Sequence, residues 1–104
     1  IELGYPVTVN DLGYAAFATQ VATDLLGETK VASMRNPVMG AEDFSYVLQR
    51  VPGALAFLGA TPPGVDPRHA EPNHSNRVVF DEDAMATGIA LYSQVALAHL
   101  AGPT

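Results

Sequence analysis

The sequence predicts an α/β fold with a partly parallel sheet, in the order strand, helix, strand, helix, strand, long loop, helix. Three observations lead to this prediction. A helix-period apolar stripe runs through residues 12–26, a short apolar run lies between Gly53 and Gly59, and a long apolar run fills residues 82–100. The length of 104 residues fits one domain. Since 48% of the residues are hydrophobic and 15% charged, the chain is too apolar for a disordered one.

The first half begins with residues 1–9, which alternate weakly and contain Pro6; this pattern predicts a strand at a sheet edge. Asn10 or Asp11 can cap the helix that follows. That helix is predicted over Leu12–Leu26, and Gly27 is expected to end it. Its apolar stripe consists of Tyr14, Phe17, Ala18, Val21, Ala22 and Leu25. Residues 29–34 predict a second, short strand.

In the second half, Glu42 and Asp43 suit the positive end of a short helix that Val51-Pro52-Gly53 ends. Residues 54–58 predict a strand buried on both faces. Residues 60–76 carry four prolines and predict a long loop without regular structure. Asp81 is expected to cap a last helix over residues 82–100, covered on most sides. Its predicted inner face consists of Met85, Ile89, Tyr92, Val95, Ala96 and Leu100.

Composition excludes several classes of function. The net charge is −6 and the five basic residues are scattered, which argues against a nucleic-acid partner. The chain has no cysteine, so this segment builds neither a disulfide nor a thiolate metal site. No apolar run is expected to reach the length of a membrane span and no leader is recognisable, so we predict a cytoplasmic protein without a membrane partner. Because the first residue is Ile1, we expect the chain to come from a longer protein.

His74 is the sharpest candidate for chemistry, because it lies in a polar loop between a proline-rich segment and the last helix. Neutral imidazole is the commonest protein ligand for zinc and related ions. The alternative is a surface histidine without a role, since one histidine makes no site. For His69, a solvated loop residue is the better interpretation, and for His99 a surface or helix-dipole partner.

Glu42 and Asp43 can supply a general base, a metal ligand or an acceptor for a hydrogen bond from a metal ligand. Adjacent carboxylates at a helix start are also good capping residues. Gly40 would let the backbone turn and approach a ligand, and Gly59 could bring its amide close to a substrate. The alternative for each glycine is an ordinary turn residue. Asp81-Glu82-Asp83 is most simply a cap with favourable charge in the first turn.

Taken together, the ordered motifs resemble a known family over essentially the whole chain. They are Tyr5-Pro6-Val7-Thr8-Val9-Asn10-Asp11, Met39 to Tyr46, Val51-Pro52-Gly53, Phe57-Leu58-Gly59, His74-Ser75 and Phe80-Asp81-Glu82. This set is similar to the C-terminal end of the catalytic domain in amidohydrolases of the aminoacylase, hippurate-hydrolase and auxin-conjugate-hydrolase type. Dizinc carboxypeptidases belong to the same group. The resemblance implies a three-layer α/β/α sandwich of the zinc-peptidase type.

The resemblance also implies a mechanism and a cofactor. Two divalent metal ions (zinc, manganese or cobalt) activate a water that attacks the amide carbonyl of a small N-acyl amino acid or peptide-like substrate. His74 matches the last metal ligand, while Gly40, Glu42, Asp43 and Gly59 line the site. The general-base glutamate belongs to an upstream half, so no catalytic residue is expected here. Residues 1–9 match the strand that returns from a lid domain, which can also form a homodimer.

Two departures from the family's pattern have consequences. Asn76 stands where the family often has proline after the His-Ser pair, which changes the stiffness of the loop. The upstream ligands and the lid domain lie outside these residues, so we predict that the isolated segment is inactive, nearly metal-free and prone to self-association. The rival hypothesis from another class is a free-standing α/β binding or interaction module in which His74 is incidental.

Overall fold

The computed structural model describes residues 4–102. Three α-helices lie within this range: α1 over Leu12–Leu26, α2 over Phe44–Leu48 and α3 over Ala84–Ala101. A 3₁₀ turn over Glu28–Lys30 follows α1. The two long helices, α1 and α3, pack against each other, and the remaining segments run in extended and turn conformations around them.

Helix α1 confirms the sequence prediction at both ends. The side chain of Asp11 accepts a hydrogen bond from the amide of Tyr14, at 2.7 Å, and so caps the first turn. Gly27 ends the helix at φ 87°, a conformation that residues with a Cβ rarely adopt. The predicted apolar stripe faces inward except for Leu25, which is exposed, and its members Val21 and Ala22 are the two buried hydrophobic residues of the described chain.

The predicted α/β sandwich is wrong for residues 4–102, which contain no β-strand. Residues 4–9, 31–34 and 54–58 have no regular secondary structure, while part of the predicted strand at 29–34 forms the 3₁₀ turn. A strand is stabilised by hydrogen bonds to a neighbouring strand, and each of these segments lacks such a neighbour here. The part of the first predicted strand over residues 1–3 lies outside the described residues.

One side chain takes the place of a strand partner. The amide group of Asn10 donates to the carbonyl of Leu55 at 3.2 Å and accepts from the Leu55 amide at 2.8 Å. Next to it, the amide of Asp11 donates to the carbonyl of Gly53 at 2.9 Å. We call these three bonds the Asn10 clasp. The clasp fixes the start of α1 against the segment that leads to Gly59.

Replacing Asn10 with alanine should leave the Leu55 amide without its acceptor. Because two hydrogen bonds are lost from a partly buried position, we expect that amide to exchange with solvent deuterium roughly tenfold faster or more. Gln20→Ala is the matched control, since it removes an exposed bond from Gln20 to Asp24 on α1. Equal exchange of the Leu55 amide in both variants would contradict a stabilising role for the clasp.

Helix α3 begins at Ala84, two residues later than predicted. Asp81 accepts a bond from the Asp83 amide at 3.1 Å, and Asp83 occupies the N-cap position without a side-chain cap bond. The predicted inner face is also wrong in most of its members: Met85, Ile89, Tyr92, Ala96 and Leu100 are exposed, while Val95 is half-buried. The other half-buried residues of α3 are mostly smaller or polar: Ala84, Thr87, Gly88, Ala90, Leu91 and Ala98.

His99 joins α3 to α1. Its ring centroid lies 5.9 Å from that of Tyr14 and 6.3 Å from that of Phe17. The rings of Tyr14 and Phe17 themselves meet edge to face. Such contacts between rings stabilise packing beyond the area that they bury. His99 is therefore a packing residue of the α1–α3 contact and also a basic residue in the last turn of α3.

The apolar character of α3 has a second consequence. By length and composition, this helix of 18 residues with a mean hydropathy of 1.3 is apolar enough to cross a membrane. The expectation that no apolar run reaches that length is therefore wrong. Core helices of soluble proteins can be equally long and apolar, so the absence of a membrane partner stays a prediction.

The chain exposes more surface than a self-contained domain of its mass. Its accessible surface is 8953 Å², whereas a folded monomer of 10.9 kDa exposes about 5,600 Å². Its radius of gyration is 15.5 Å, compared with about 13 Å for a compact domain of 104 residues. Much of the exposed surface is apolar, including Met39, Ile89 and Leu100. Residues 4–102 therefore form an open arrangement with a small core.

Candidate functional site

His74 lies at the tip of a tight turn in the long loop. The amide of Ser75 donates to the carbonyl of Pro72 at 2.9 Å, and the amide of Val78 donates to the carbonyl of Ser75 at 3.3 Å. These two successive turns leave the His74 side chain exposed. Within residues 4–102 it makes no hydrogen bond or ion pair, so neither ring nitrogen is occupied and either one is available to a ligand.

The residues that flank the turn are held together by one carboxylate. Oε2 of Glu71 accepts a hydrogen bond from the hydroxyl of Ser75 at 2.9 Å, and Oε1 lies 2.9 Å from Nη2 of Arg77. The hydroxyl of Ser75 also accepts from the backbone amide of Arg77 at 3.1 Å. We call these contacts the Glu71 brace. They link the residue before the turn to two residues after His74.

Sequence reasoning did not single out Glu71 or Arg77. A signal was present: an acidic residue before a Pro-Asn turn and a basic residue six positions later are well placed to pair across it. Ser75 was noted only as part of a motif. The brace is therefore a structural addition to the predicted site.

The segment over residues 40–45 has a polar frame of its own. Oε1 of Glu42 accepts from the backbone amide of Phe44 at 3.2 Å, and the carbonyl of Glu42 accepts from the hydroxyl of Ser45 at 2.6 Å. Ser45 is fully buried, whereas Asp43 is exposed and makes no side-chain cap bond. Glu42 thus caps the start of α2, and the carboxylate of Asp43 has no hydrogen-bond or ion-pair partner among residues 4–102.

Neither candidate glycine needs to be glycine for conformational reasons. The positive-φ residues of the described chain are Gly27, Gly64 and Gly102. A methyl group at Gly40 would meet only Val38, at 3.8 Å, and one at Gly59 would meet nothing within 4 Å. Gly40 would permit a turn conformation closed to other residues, but it does not adopt a positive φ in this structure.

Polar contacts do not join the candidate residues to one another within residues 4–102. Within residues 4–102, no hydrogen bond or ion pair joins the His74 turn to residues 40–45 or to Gly59. The same range contains no group of three or more His, Cys, Asp or Glu side chains that could hold a metal ion. His74 fits the role of one ligand among several, and the described residues do not supply the others. The roles of His74, Glu42 and Asp43 stay predictions.

A second ion pair orders another part of the long loop. The guanidinium of Arg68 lies 2.6 Å from Oδ2 of Asp66 and lowers the pKa of that carboxyl below its ordinary value. His69 lies 3.6 Å from the same carboxylate. The pairing is present at neutral pH, and it is lost when acid protonates Asp66. Because these groups are exposed, the pairing orders the loop locally and adds little to global stability.

Comparison with known proteins assigns the chain to a family. The model for "Peptidase family M20/M25/M40" matches residues 1–98. The chain belongs to this peptidase family. No solved structure matches the chain with significance.

Three relatives illustrate the range of this peptidase family. IAA-amino acid hydrolase ILR1-like 4 of Arabidopsis thaliana is 34% identical over 92% of this chain and 21% of its own length. Thermostable carboxypeptidase 2 of Saccharolobus solfataricus is 33% identical over 89% of this chain and 22% of its own. Hippurate hydrolase of Campylobacter jejuni is 30% identical over 91% of this chain and 23% of its own length. The chain thus spans about a fifth of the length of these curated relatives.

Proposed function

We propose that this chain is part of the catalytic domain of a metal-dependent amidohydrolase or peptidase. In the complete enzyme it would act on the amide bond of an N-acyl amino acid or a peptide-like substrate. The observation that carries the proposal is the family match over residues 1–98. It is supported by relatives whose names describe hydrolases of IAA-amino acids and hippurate, and carboxypeptidases.

Within this proposal, His74 supplies one metal ligand. Its imidazole is exposed and unpaired in the described chain, at the tip of a turn that is closed on both sides. When bound, divalent zinc, manganese or cobalt would supply an activated water and polarise the amide carbonyl. The other ligands and the general base would come from residues outside this chain.

Asp43 and Glu42 are proposed to line the substrate side of the site. The free carboxylate of Asp43 is available to a polar group of the substrate, while Glu42 holds the backbone of the α2 start. Neither residue is assigned a role in proton transfer. Gly40 and Gly59 are retained as lining positions because a substrate could approach their exposed backbone.

The test is hydrolysis by the complete enzyme with and without metal. We expect the enzyme to release free amino acid from N-acyl amino acids. Chelation should remove roughly 90% of the rate or more, because the reaction depends on the metal, and adding zinc, manganese or cobalt should restore it. A panel of N-acyl amino acids and short peptides would define the substrate class. A rate that is unaffected by chelation would contradict the proposed metal dependence.

The same assay separates this proposal from a binding module without catalysis. A module would bind a ligand without turnover in the presence of any metal. We also propose that the complete enzyme is cytoplasmic, which cell fractionation would test. Sedimentation of the complete enzyme would test whether it forms a homodimer.

A further inference from the structure

We infer that Glu71 is a positioning residue for His74. It holds the turn that presents the imidazole, through contacts with Ser75 and Arg77, and it does not touch the imidazole itself. This inference rests on the proposed function, in which His74 is a metal ligand.

The geometry of the brace carries the inference. Each carboxylate oxygen of Glu71 has a different partner, and both partners follow His74 in the chain. The hydroxyl of Ser75 serves both sides, because it donates to Glu71 and accepts from the amide of Arg77. The backbone on either side of His74 is thereby tied to one side chain.

Apart from the two backbone hydrogen bonds that close it, the turn has little packing to hold it. His74 and its neighbours Asn73 and Asn76 are exposed, and only Ser75 within the turn is half-buried. Residues 73–76 contain no proline, so no proline ring restricts the backbone there. The brace therefore limits the conformations of the turn where packing and proline do not.

Positioning matters for a metal ligand because binding requires a defined ligand distance and direction. A histidine on a mobile turn must be ordered when the metal binds, which weakens the affinity. Partners that orient a ligand typically change metal affinity 10- to 100-fold when they are removed. The exposed location of the brace limits its effect on overall stability.

The experiment measures zinc affinity of the complete enzyme for Glu71→Gln and Glu71→Ala by competition with a chromogenic chelator. We expect a 10- to 100-fold weaker Kd for zinc in both variants, with kcat restored to within roughly threefold of the parent at saturating zinc. The Gln variant keeps the shape of the side chain, so it remains informative should the Ala variant misfold.

Asp66→Asn is the matched control, because it removes the other ion pair of the same loop without touching the His74 turn. It should leave the zinc Kd unchanged. A second readout needs no metal: the amide of Arg77, which donates to Ser75, should exchange with deuterium faster in Glu71→Gln and at the parent rate in Asp66→Asn.

Two outcomes would overturn the inference. One is an unchanged zinc Kd in Glu71→Gln, with Arg77 exchange also unchanged. The other is a loss of kcat that saturating zinc does not restore, which would assign Glu71 a direct part in the reaction. Failure of the proposed function looks different, since His74→Ala would then also leave the zinc content unchanged.

Discussion

His74→Ala should reduce kcat/KM of the complete enzyme by about 10³-fold or more and lower its bound metal. Loss of the proposed metal ligand would remove a bond to the ion itself, and even residues that only orient a ligand contribute 10- to 100-fold to affinity or activity. The exposed imidazole has no partner in the described chain that would give it a structural role. Metal content by mass spectrometry and hydrolysis of an N-acyl amino acid would measure the two effects.

His69→Ala is the control for this experiment. His69 lies in the same loop and its side chain is 82% exposed, but it faces the carboxylate of Asp66. Its replacement should leave kcat/KM within about threefold of the parent, as expected for a surface substitution. Full metal content and activity in His74→Ala would refute the ligand assignment and leave His74 as a surface residue.

The isolated chain of 104 residues should show no amide hydrolysis with any added metal. One imidazole cannot hold a catalytic ion, and the described residues contain no further cluster of candidate ligands. The expected result is a rate equal to the buffer blank, measured with zinc, manganese and cobalt from micromolar to millimolar concentrations. The complete enzyme in the same buffers is the positive control.

The same preparation should associate with itself. The chain exposes several thousand Å² more than a compact monomer of its size, and apolar side chains on α3 contribute to this excess. Sedimentation velocity should show concentration-dependent oligomers, and a dye that binds exposed apolar surface should fluoresce strongly. Metal-dependent turnover by a monodisperse monomer would contradict both parts of the prediction.

Local signals predicted the helices well. The bounds of α1 follow from a capping aspartate, a helix-period stripe and a glycine stop, all of which act within a few residues of the sequence. The short α2 and the irregular long loop were also predicted from nearby prolines and glycines. These features form from local interactions, so a sequence pattern is sufficient to predict them.

The strands and the orientation of α3 depend on distant partners. Residues 54–58 are apolar enough for a strand, but a ladder needs a second strand, and the Asn10 side chain takes that place here. α3 is apolar on nearly all sides, so its sequence does not distinguish an inner face. The loop around His74 and the family resemblance pointed to that histidine, whereas the Glu71 brace depends on side-chain contacts that the sequence alone does not show.

The Asn10 clasp also sets an order of events in folding. The cap and the stop of α1 act within a few residues, whereas the clasp joins Asn10 and Leu55, which are 45 positions apart. Closing so long a loop is entropically unfavourable and slower than helix formation. Attachment of α1 to the segment leading to Gly59 should therefore be a late step, and variants at Asn10 should speed unfolding more than they slow folding.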